Sequence, residues 1–173
     1  VRTLYTALLR IALPLVLARL WWRGRRGPAY REAVAERFGI YSTDKRTKLV
    51  WIHAVSVGEV RAAAPLVSAL REMLPDHGLL MTCTTAAGRE TLKQLYGESV
   101  LGAYLPYDLP RAVQRFLEHF RPRLGVLMET EIWPNLLALC VENQVPMLLA
   151  NARMSERSAR GYRRLSGLTG PAF

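Results

Sequence analysis

Short apolar runs alternate with helical patterns from Leu49 onward, and this alternation constrains the fold more than any other feature. The strand candidates are Leu49–Ile52, Leu79–Thr84, Val100–Tyr104, Leu124–Met128 and Met147–Ala150. Between them, apolar residues recur at helical spacing in Val60–Met73, Ala87–Tyr96, Arg111–Phe120 and Pro134–Glu142. Strands that alternate with helices indicate a parallel sheet covered on both faces. We therefore predict an α/β, Rossmann-like domain.

The charge balance indicates which partners to expect. The chain has 173 residues, half of them hydrophobic, with 24 Lys and Arg against 14 Asp and Glu and a net charge of +10. Such an excess favours phosphate-bearing partners, which include nucleic acid, anionic lipid and phosphorylated substrates. Cys83 and Cys140 lie in apolar runs without CxxC spacing, so we expect reduced core thiols. The three histidines are scattered and show no metal-ligand spacing, so we expect no metal.

The N-terminal segment predicts a membrane anchor. Leu4–Trp22 is nearly as long as the roughly 20 apolar residues that span a bilayer, but Arg10 and Pro14 interrupt it. The aromatic pair at its end precedes a basic flank, as at a cytoplasmic membrane interface. We assign residues 1–26 to the anchor and 27–173 to the Rossmann-like domain. The sequence leaves open whether the helix spans the membrane, lies on it, or packs on its own domain.

Two further helices are predicted outside the alternating region. A short amphipathic helix covers roughly Tyr30–Phe38 and ends at Gly39. Another begins at Ser155 and continues to Leu168, and no closing element follows it. We therefore expect the chain to be a fragment, or the first half of a two-domain enzyme.

Right-handed crossovers bring the loops that follow the strands to one edge of the sheet. Glu59 begins a helix after the first strand. A carboxylate at this position either has a catalytic role or only stabilises the positive end of the helix dipole. Glu129 and Glu131 follow the fourth strand, where they form either a functional pair or a helix cap ahead of Trp133. Asp108 is interpreted as a cap before Pro110, the start of the next helix.

Three function classes fit these features. The first is one half of a membrane-associated enzyme, and the second is a basic domain that binds phosphate or nucleic acid through counterion release. The third is a membrane-tethered nucleotide-binding or scaffolding domain. The sequence has no helix-turn-helix, RNP-like or finger pattern, and it has neither GxGxxG nor GxxxxGK[ST]. We therefore favour the enzyme half and expect no nucleic acid partner.

Six sequence blocks carry a family resemblance. They are, in order, LYTALL, RGPAYREAVAERFG, HAVSVGE, YLPYDLP, METEIWPN and NARMSERSARGY. Together they resemble the amino-terminal domain of 3-deoxy-D-manno-octulosonic acid (Kdo) transferases, bacterial enzymes that add Kdo to the lipid A precursor of lipopolysaccharide. The resemblance covers essentially the whole chain.

The resemblance implies a glycosyltransferase of the two-domain GT-B architecture. In that family the first domain holds the lipid acceptor, the second holds CMP-Kdo, and transfer inverts the anomeric centre without a metal or other cofactor. The residues that bind CMP in the family have no counterpart here. The implied location is the cytoplasmic face of the inner membrane, with membrane lipids and lipid A precursor as partners. The isolated chain is expected to be inactive.

The resemblance also implies roles for individual residues. The Glu of the HAVSVGE block, Glu59, is the expected proton acceptor. One carboxylate of the METE block, Glu129 or Glu131, is the expected transition-state stabiliser. Ser56, Gly58 and Arg153 are candidate substrate-binding residues, with Arg153 placed to meet lipid phosphates. The number of Kdo residues transferred has no readable motif.

Overall fold

The computed structural model describes residues 2–25, 32–43, 48–129 and 133–151. Five strands lie in this part of the chain: β1 Leu49–His53, β2 Gly78–Cys83, β3 Leu101–Tyr104, β4 Leu124–Met128 and β5 Met147–Ala150. Each lies within one residue of its predicted bounds, and every pairing is parallel. The prediction of an α/β domain with a parallel sheet is confirmed.

Helices connect the strands. They are α1 Arg2–Arg23, α2 Val57–Ala62, α3 Ala64–Met73, α4 Ala86–Tyr96, α5 Pro110–Phe120 and α6 Pro134–Glu142, with 3-10 helices at Val34–Phe38 and Gly97–Ser99. The helix predicted at Ser155–Leu168 lies outside the described residues.

The strand order is β3-β2-β1-β4-β5, so the winding direction reverses between β1 and β4. In the register of the sheet, His53 at the end of β1 lies between Thr82 of β2 and Leu127 of β4. Ligands of such sheets bind at the carboxyl ends of the strands, in the crevice at this switch point. The fold therefore places the loops after β1 and β4 on either side of the crevice.

Alternate residues of β1 face two different hydrophobic cores. Trp51 packs with Phe116 and Phe120 of α5 on one face of the sheet. Ile52 packs with residues of α2, α3 and α4, among them Val60, on the other. The prediction of helices on both faces is thus confirmed.

The two thiols are part of these buried regions. Cys83 and Cys140 are free and buried, as predicted. Burial raises the pKa of both thiols to about 12, so neither is a thiolate at neutral pH.

Two predicted helices differ from the observed ones. The helix expected at Val60–Met73 begins at Val57 and breaks at Ala63, because Pro65 supplies no N–H and its ring opposes continuation of the preceding turn. The helix expected at Tyr30–Phe38 is, in its described part, a 3-10 helix over Val34–Phe38. It ends at Gly39, whose left-handed φ of 75° confirms the predicted stop.

Buried polar contacts attach this 3-10 helix to the sheet. The Glu36 carboxylate forms a bidentate pair with Arg89 of α4 and also accepts from the backbone N of Tyr104 at 2.7 Å. The next residue, Arg37, donates to the Thr84 carbonyl at 3.1 Å. The segment before the first strand is therefore held at the rim of β2 and β3.

Helix α1 contacts the domain through polar groups and exposes an apolar stripe. Arg2 pairs with Glu142 at 3.0 Å, and the Asn135 side chain donates to Thr6 at 3.0 Å. The stripe consists of Leu4, Leu8, Ile11 and Leu15, each more than half exposed. By length and composition α1 can cross a membrane, a test that core helices and signal sequences also pass. The division at residue 26 stays a prediction.

Replacement of Gly39 by alanine should destabilise the fold. An added Cβ would lie 2.2 Å from the Ala112 carbonyl oxygen and would also adopt an unfavourable φ. Gly97→Ala is the matched control, because its φ is 52° but nothing lies within 4 Å of the added Cβ. We expect Gly39→Ala to lower the free energy of unfolding by about 2 kcal/mol more than Gly97→Ala in urea titrations. Equal losses would show that the contact with α5 is unimportant.

Candidate active site

The loop between β1 and α2 is fixed by a capping box. Ser56 is the N-cap of α2, and its hydroxyl accepts from the Glu59 N–H at 3.4 Å. The same hydroxyl donates to Glu59 Oε1 at 2.9 Å, and the backbone N of Val55 donates to Oε2 at 2.8 Å. The S-x-x-E spacing of Ser56 and Glu59 is the sequence signature of this motif. The sequence reading missed it.

Glu59 lies in the first turn of α2, as predicted. The residue is 8% exposed, so it is buried and a small part of it remains accessible to solvent. Within the described part of the chain it forms no ion pair with an arginine. Both carboxylate oxygens accept hydrogen bonds from the β1–α2 loop, so the carboxylate helps to cap α2 in addition to any chemical role. Its role as proton acceptor stays a prediction.

Gly58 lies between these two residues and is exposed. A Cβ added here would meet only the Ser56 hydroxyl, at the ordinary contact distance of 3.8 Å. The described residues therefore give no steric reason for a glycine, although glycine destabilises a helix. This open backbone fits the predicted role of Gly58 in substrate binding, which stays a prediction.

Backbone and hydroxyl contacts join the loops after β1 and β2. Thr85 is the N-cap of α4, and its hydroxyl accepts from the Gly88 N–H at 3.1 Å. Its hydroxyl also donates to the Val55 carbonyl at 3.3 Å. The two loops therefore form one connected rim.

Glu129 follows β4, the strand next to β1. It is half-buried, its N–H donates to the Ala150 carbonyl at 2.9 Å, and its φ of 62° is left-handed. Glu131 and Arg153 lie outside the described residues. The structure thus places Glu129, one of the METE residues, on the loop that borders the crevice, and the choice between Glu129 and Glu131 stays open.

Asp108 caps a different helix from the one predicted. The N-cap of α5 is Leu109, without a side-chain hydrogen bond, so the interpretation of Asp108 as the cap before Pro110 is wrong. Its carboxylate instead accepts from the backbone N–H groups of Asn135 at 3.0 Å and Leu136 at 2.8 Å, at the start of α6. Burial raises the pKa of Asp108, and these two donors oppose that rise.

A buried histidine and a half-buried tryptophan at the rim were not predicted as site residues. His53 is fully buried, its Nδ1 lies 2.9 Å from the Thr82 hydroxyl, and its Nε2 has no hydrogen-bond partner. The Trp133 ring packs edge-on to it at 6.1 Å, and Trp133 Nε1 is also unpartnered. Burial lowers the pKa of His53 to about 4, so its imidazole is neutral at pH 7. The sequence signal that could have identified His53 is its position as a polar residue at the end of an apolar strand.

Among the described residues, no group of three or more His, Cys, Asp or Glu is placed to hold a metal ion. Metal and cofactor independence stays a prediction.

A doubly wound parallel sheet with polar loops at its switch point defines a Rossmann-like, ligand-binding α/β domain. The family model of 3-deoxy-D-manno-octulosonic-acid transferases (Kdo transferases) matches residues 32–173. The chain therefore belongs to the Kdo transferase family, as the sequence blocks predicted.

Relatives described as 3-deoxy-D-manno-octulosonic acid transferases align along most of the chain. The Haemophilus influenzae protein is 42% identical over 163 residues, which cover 93% of this chain and 38% of that protein. The Bordetella pertussis protein is 46% identical over 169 residues, which cover 92% and 39%. The Rickettsia bellii protein is 32% identical over 166 residues, which cover 95% and 39%. The chain thus spans about two fifths of the length of these relatives.

Acidification should destabilise the fold through His53. The folded-state pKa near 4 lies below the ordinary 6.5, so the neutral form stabilises the fold above pH 6.5 and this contribution falls as the pH drops toward 4. We expect about 2 kcal/mol of unfolding free energy to be lost between pH 7.5 and pH 5. Urea titrations at the two pH values, in a neutral detergent, measure this loss of unfolding free energy.

The His53→Leu variant should lose less unfolding free energy between pH 7.5 and pH 5 than the unsubstituted chain. The control variant His119→Gln should lose as much as the unsubstituted chain. Equal pH dependence in His53→Leu would contradict the assignment.

Proposed function

We propose that this chain is the acceptor-binding domain of a glycosyltransferase that moves Kdo from CMP-Kdo to the lipid A precursor, lipid IVA, with inversion. The observation that carries the proposal is the position of Glu59. It lies in the first turn of α2, directly after the β1 loop and beside the switch point of the sheet, in a chain that the Kdo transferase family model matches.

Glu59 is the proposed general base. In an inverting transfer, the acceptor hydroxyl attacks the anomeric carbon as CMP leaves, and a base removes the proton of that hydroxyl. An ionised carboxylate offers about four lone-pair positions. The Val55 N–H and the Ser56 hydroxyl occupy two of them, so Glu59 can still accept from a sugar hydroxyl. The capping contacts then fix the carboxylate in one rotamer before substrate binds.

The METE carboxylate is the proposed transition-state stabiliser. Departure of CMP leaves positive character on the Kdo ring, and a carboxylate near the ring offsets that charge. Glu129 lies on the loop after β4 and supplies such a group next to the β1 loop. Glu131 is the alternative. Ser56, Gly58 and Arg153 are the proposed contacts to the acceptor.

The position of α1 favours a helix that lies in the plane of the membrane. Near its start, Thr6 contacts Asn135 of α6. Near its end, Arg19 and Arg23 line a cavity together with Tyr107 of the rim. A helix that is bonded to the domain near its start and borders a cavity with it near its end turns its exposed apolar stripe toward lipid without crossing the bilayer. The proposed location is the cytoplasmic face of the inner membrane.

The donor CMP-Kdo is proposed to bind a second domain, which the remaining three fifths of the relatives' length would supply. This chain alone should therefore be inactive. The proposed reaction uses no metal and no other cofactor, and nucleic acid is not a proposed partner.

Glu59→Gln should reduce transfer without loss of the fold. The amide oxygen can still accept one capping hydrogen bond, but the amide cannot take up a proton. In a full-length Kdo transferase that contains this domain, we expect kcat for transfer to fall by about 10²-fold or more.

Ser56→Ala is the control for Glu59→Gln. It weakens the same cap by about 1 kcal/mol and keeps the carboxylate, so kcat should stay near the unsubstituted value, and loss of the proposed acceptor contact should appear as a higher KM for the acceptor. Comparable kcat losses in the two variants would reduce Glu59 to a structural role.

Gly58→Ala should separate stability from activity. Because the added Cβ meets no close neighbour, we expect α2 to gain about 0.5–1 kcal/mol, seen as a higher Tm. If the acceptor approaches this backbone, the same methyl group should raise KM for the acceptor and leave KM for CMP-Kdo unchanged. An unchanged acceptor KM would remove Gly58 from the binding site.

A further inference from the structure

A basic cavity of about 260 Å³ lies between the second half of α1 and the carboxyl rim of the sheet. Its walls include Arg19 and Arg23 of α1, Arg37 of the 3-10 helix, and the aromatic residues Tyr107 and Trp133 of the rim. None of the described residues that line it carries a carboxylate. The described lining of the cavity therefore carries positive charge and no carboxylate.

Arg37 is the buried component of this charge. Its side chain donates to the Thr84 carbonyl at 3.1 Å, and its guanidinium lies 4.1 Å from the centre of the Tyr104 ring. The residue is only 6% exposed, Nε has no hydrogen-bond partner, and no described carboxylate pairs with it. A buried cation without an anion is costly, so this arrangement favours an anionic ligand.

A second unpartnered donor lies in the same wall. Trp133 Nε1 is buried without a hydrogen-bond partner, and Trp133 lines the cavity together with Arg37. Arg19 is exposed on α1 and lines the same cavity. Arginine forks and an indole N–H match the several acceptor oxygens of a phosphate group.

The exposed apolar stripe of α1 indicates where the rest of such a ligand would lie. Leu15 belongs to that stripe and lies one helical turn before Arg19. A phosphate at Arg19 would therefore sit at the level of lipid headgroups if the stripe contacts acyl chains.

We propose that this cavity binds a phosphate monoester of the acceptor lipid between Arg19, Arg37 and Trp133. The inference rests on the proposed function and adds to it the chemical group by which the acceptor is held.

The test is a calorimetric titration of the whole 173-residue chain in dodecyl maltoside micelles. Dodecyl phosphate and inorganic phosphate are the two probes, since they separate a lipid headgroup from a free anion. We expect saturable binding of dodecyl phosphate that is about tenfold weaker in Arg19→Gln, the loss expected for one charge-assisted hydrogen bond. Arg10→Gln is the matched control, because Arg10 is exposed on the same helix but does not line the cavity.

A second variant guards against unspecific charge effects. Trp133→Phe removes the unpartnered N–H and leaves the charge unchanged, so the fold should persist and dodecyl phosphate should bind several-fold more weakly. Equal weakening in Arg19→Gln and Arg10→Gln, or full affinity in Trp133→Phe, would overturn the site. Inorganic phosphate that binds as tightly as dodecyl phosphate would overturn the lipid assignment.

This titration needs neither CMP-Kdo nor Glu59. Absence of binding would remove only the phosphate site and leave the transfer assay of Glu59→Gln to decide the proposed function. Binding that persists alongside a fully active Glu59→Gln enzyme would support the site and remove the proposed base.

Discussion

One buried carboxylate holds the functional rim together. Asp108 follows β3, yet its oxygens accept from the first backbone N–H groups of α6, and Asn135 of that helix donates to Thr6 of α1. The Asn135 side chain completes this junction by donating to the Asp108 carbonyl. Three elements far apart in sequence therefore meet at this junction, and loss of a buried acceptor leaves several donors without partners at once. The positions of α1, of Trp133 and hence of the basic cavity all depend on this junction.

At the β1 loop, the carboxylate of Glu59 has both a structural role in the helix cap and a proposed chemical role. The hydrogen bonds that cap α2 also hold the carboxylate of Glu59 in one place, and the Val55 carbonyl ties this loop to Thr85 of the next one. A group held in this way needs little reorganisation when a substrate hydroxyl arrives. The same contacts mean that deletion of the side chain disturbs the helix as well as the chemistry, so activity loss alone does not reveal its role.

The regular part of the fold could be predicted from the sequence because strand and helix periodicities are local properties. The five apolar runs from Leu49 onward became the five strands. The break before Pro65 could also have been predicted, since proline acts on its own turn. Other features depend on contacts between residues 27 or more positions apart, which no local pattern encodes. They are the partner of Asp108, the burial of His53 and the position of Arg19 at the cavity. For the same reason the blocks around Glu59 and Glu129 identified the family, while the basic cavity emerged only from the packing of α1 on the rim.

The left-handed backbone at Glu129 has an evolutionary consequence. A residue with a Cβ pays on the order of 1 kcal/mol for this conformation, and glycine would avoid most of that cost. A laboratory selection for heat resistance alone would therefore enrich Glu129→Gly, and it would delete a carboxylate beside the crevice in doing so. Thermostable descendants obtained by that route should be screened for turnover before they are used as scaffolds.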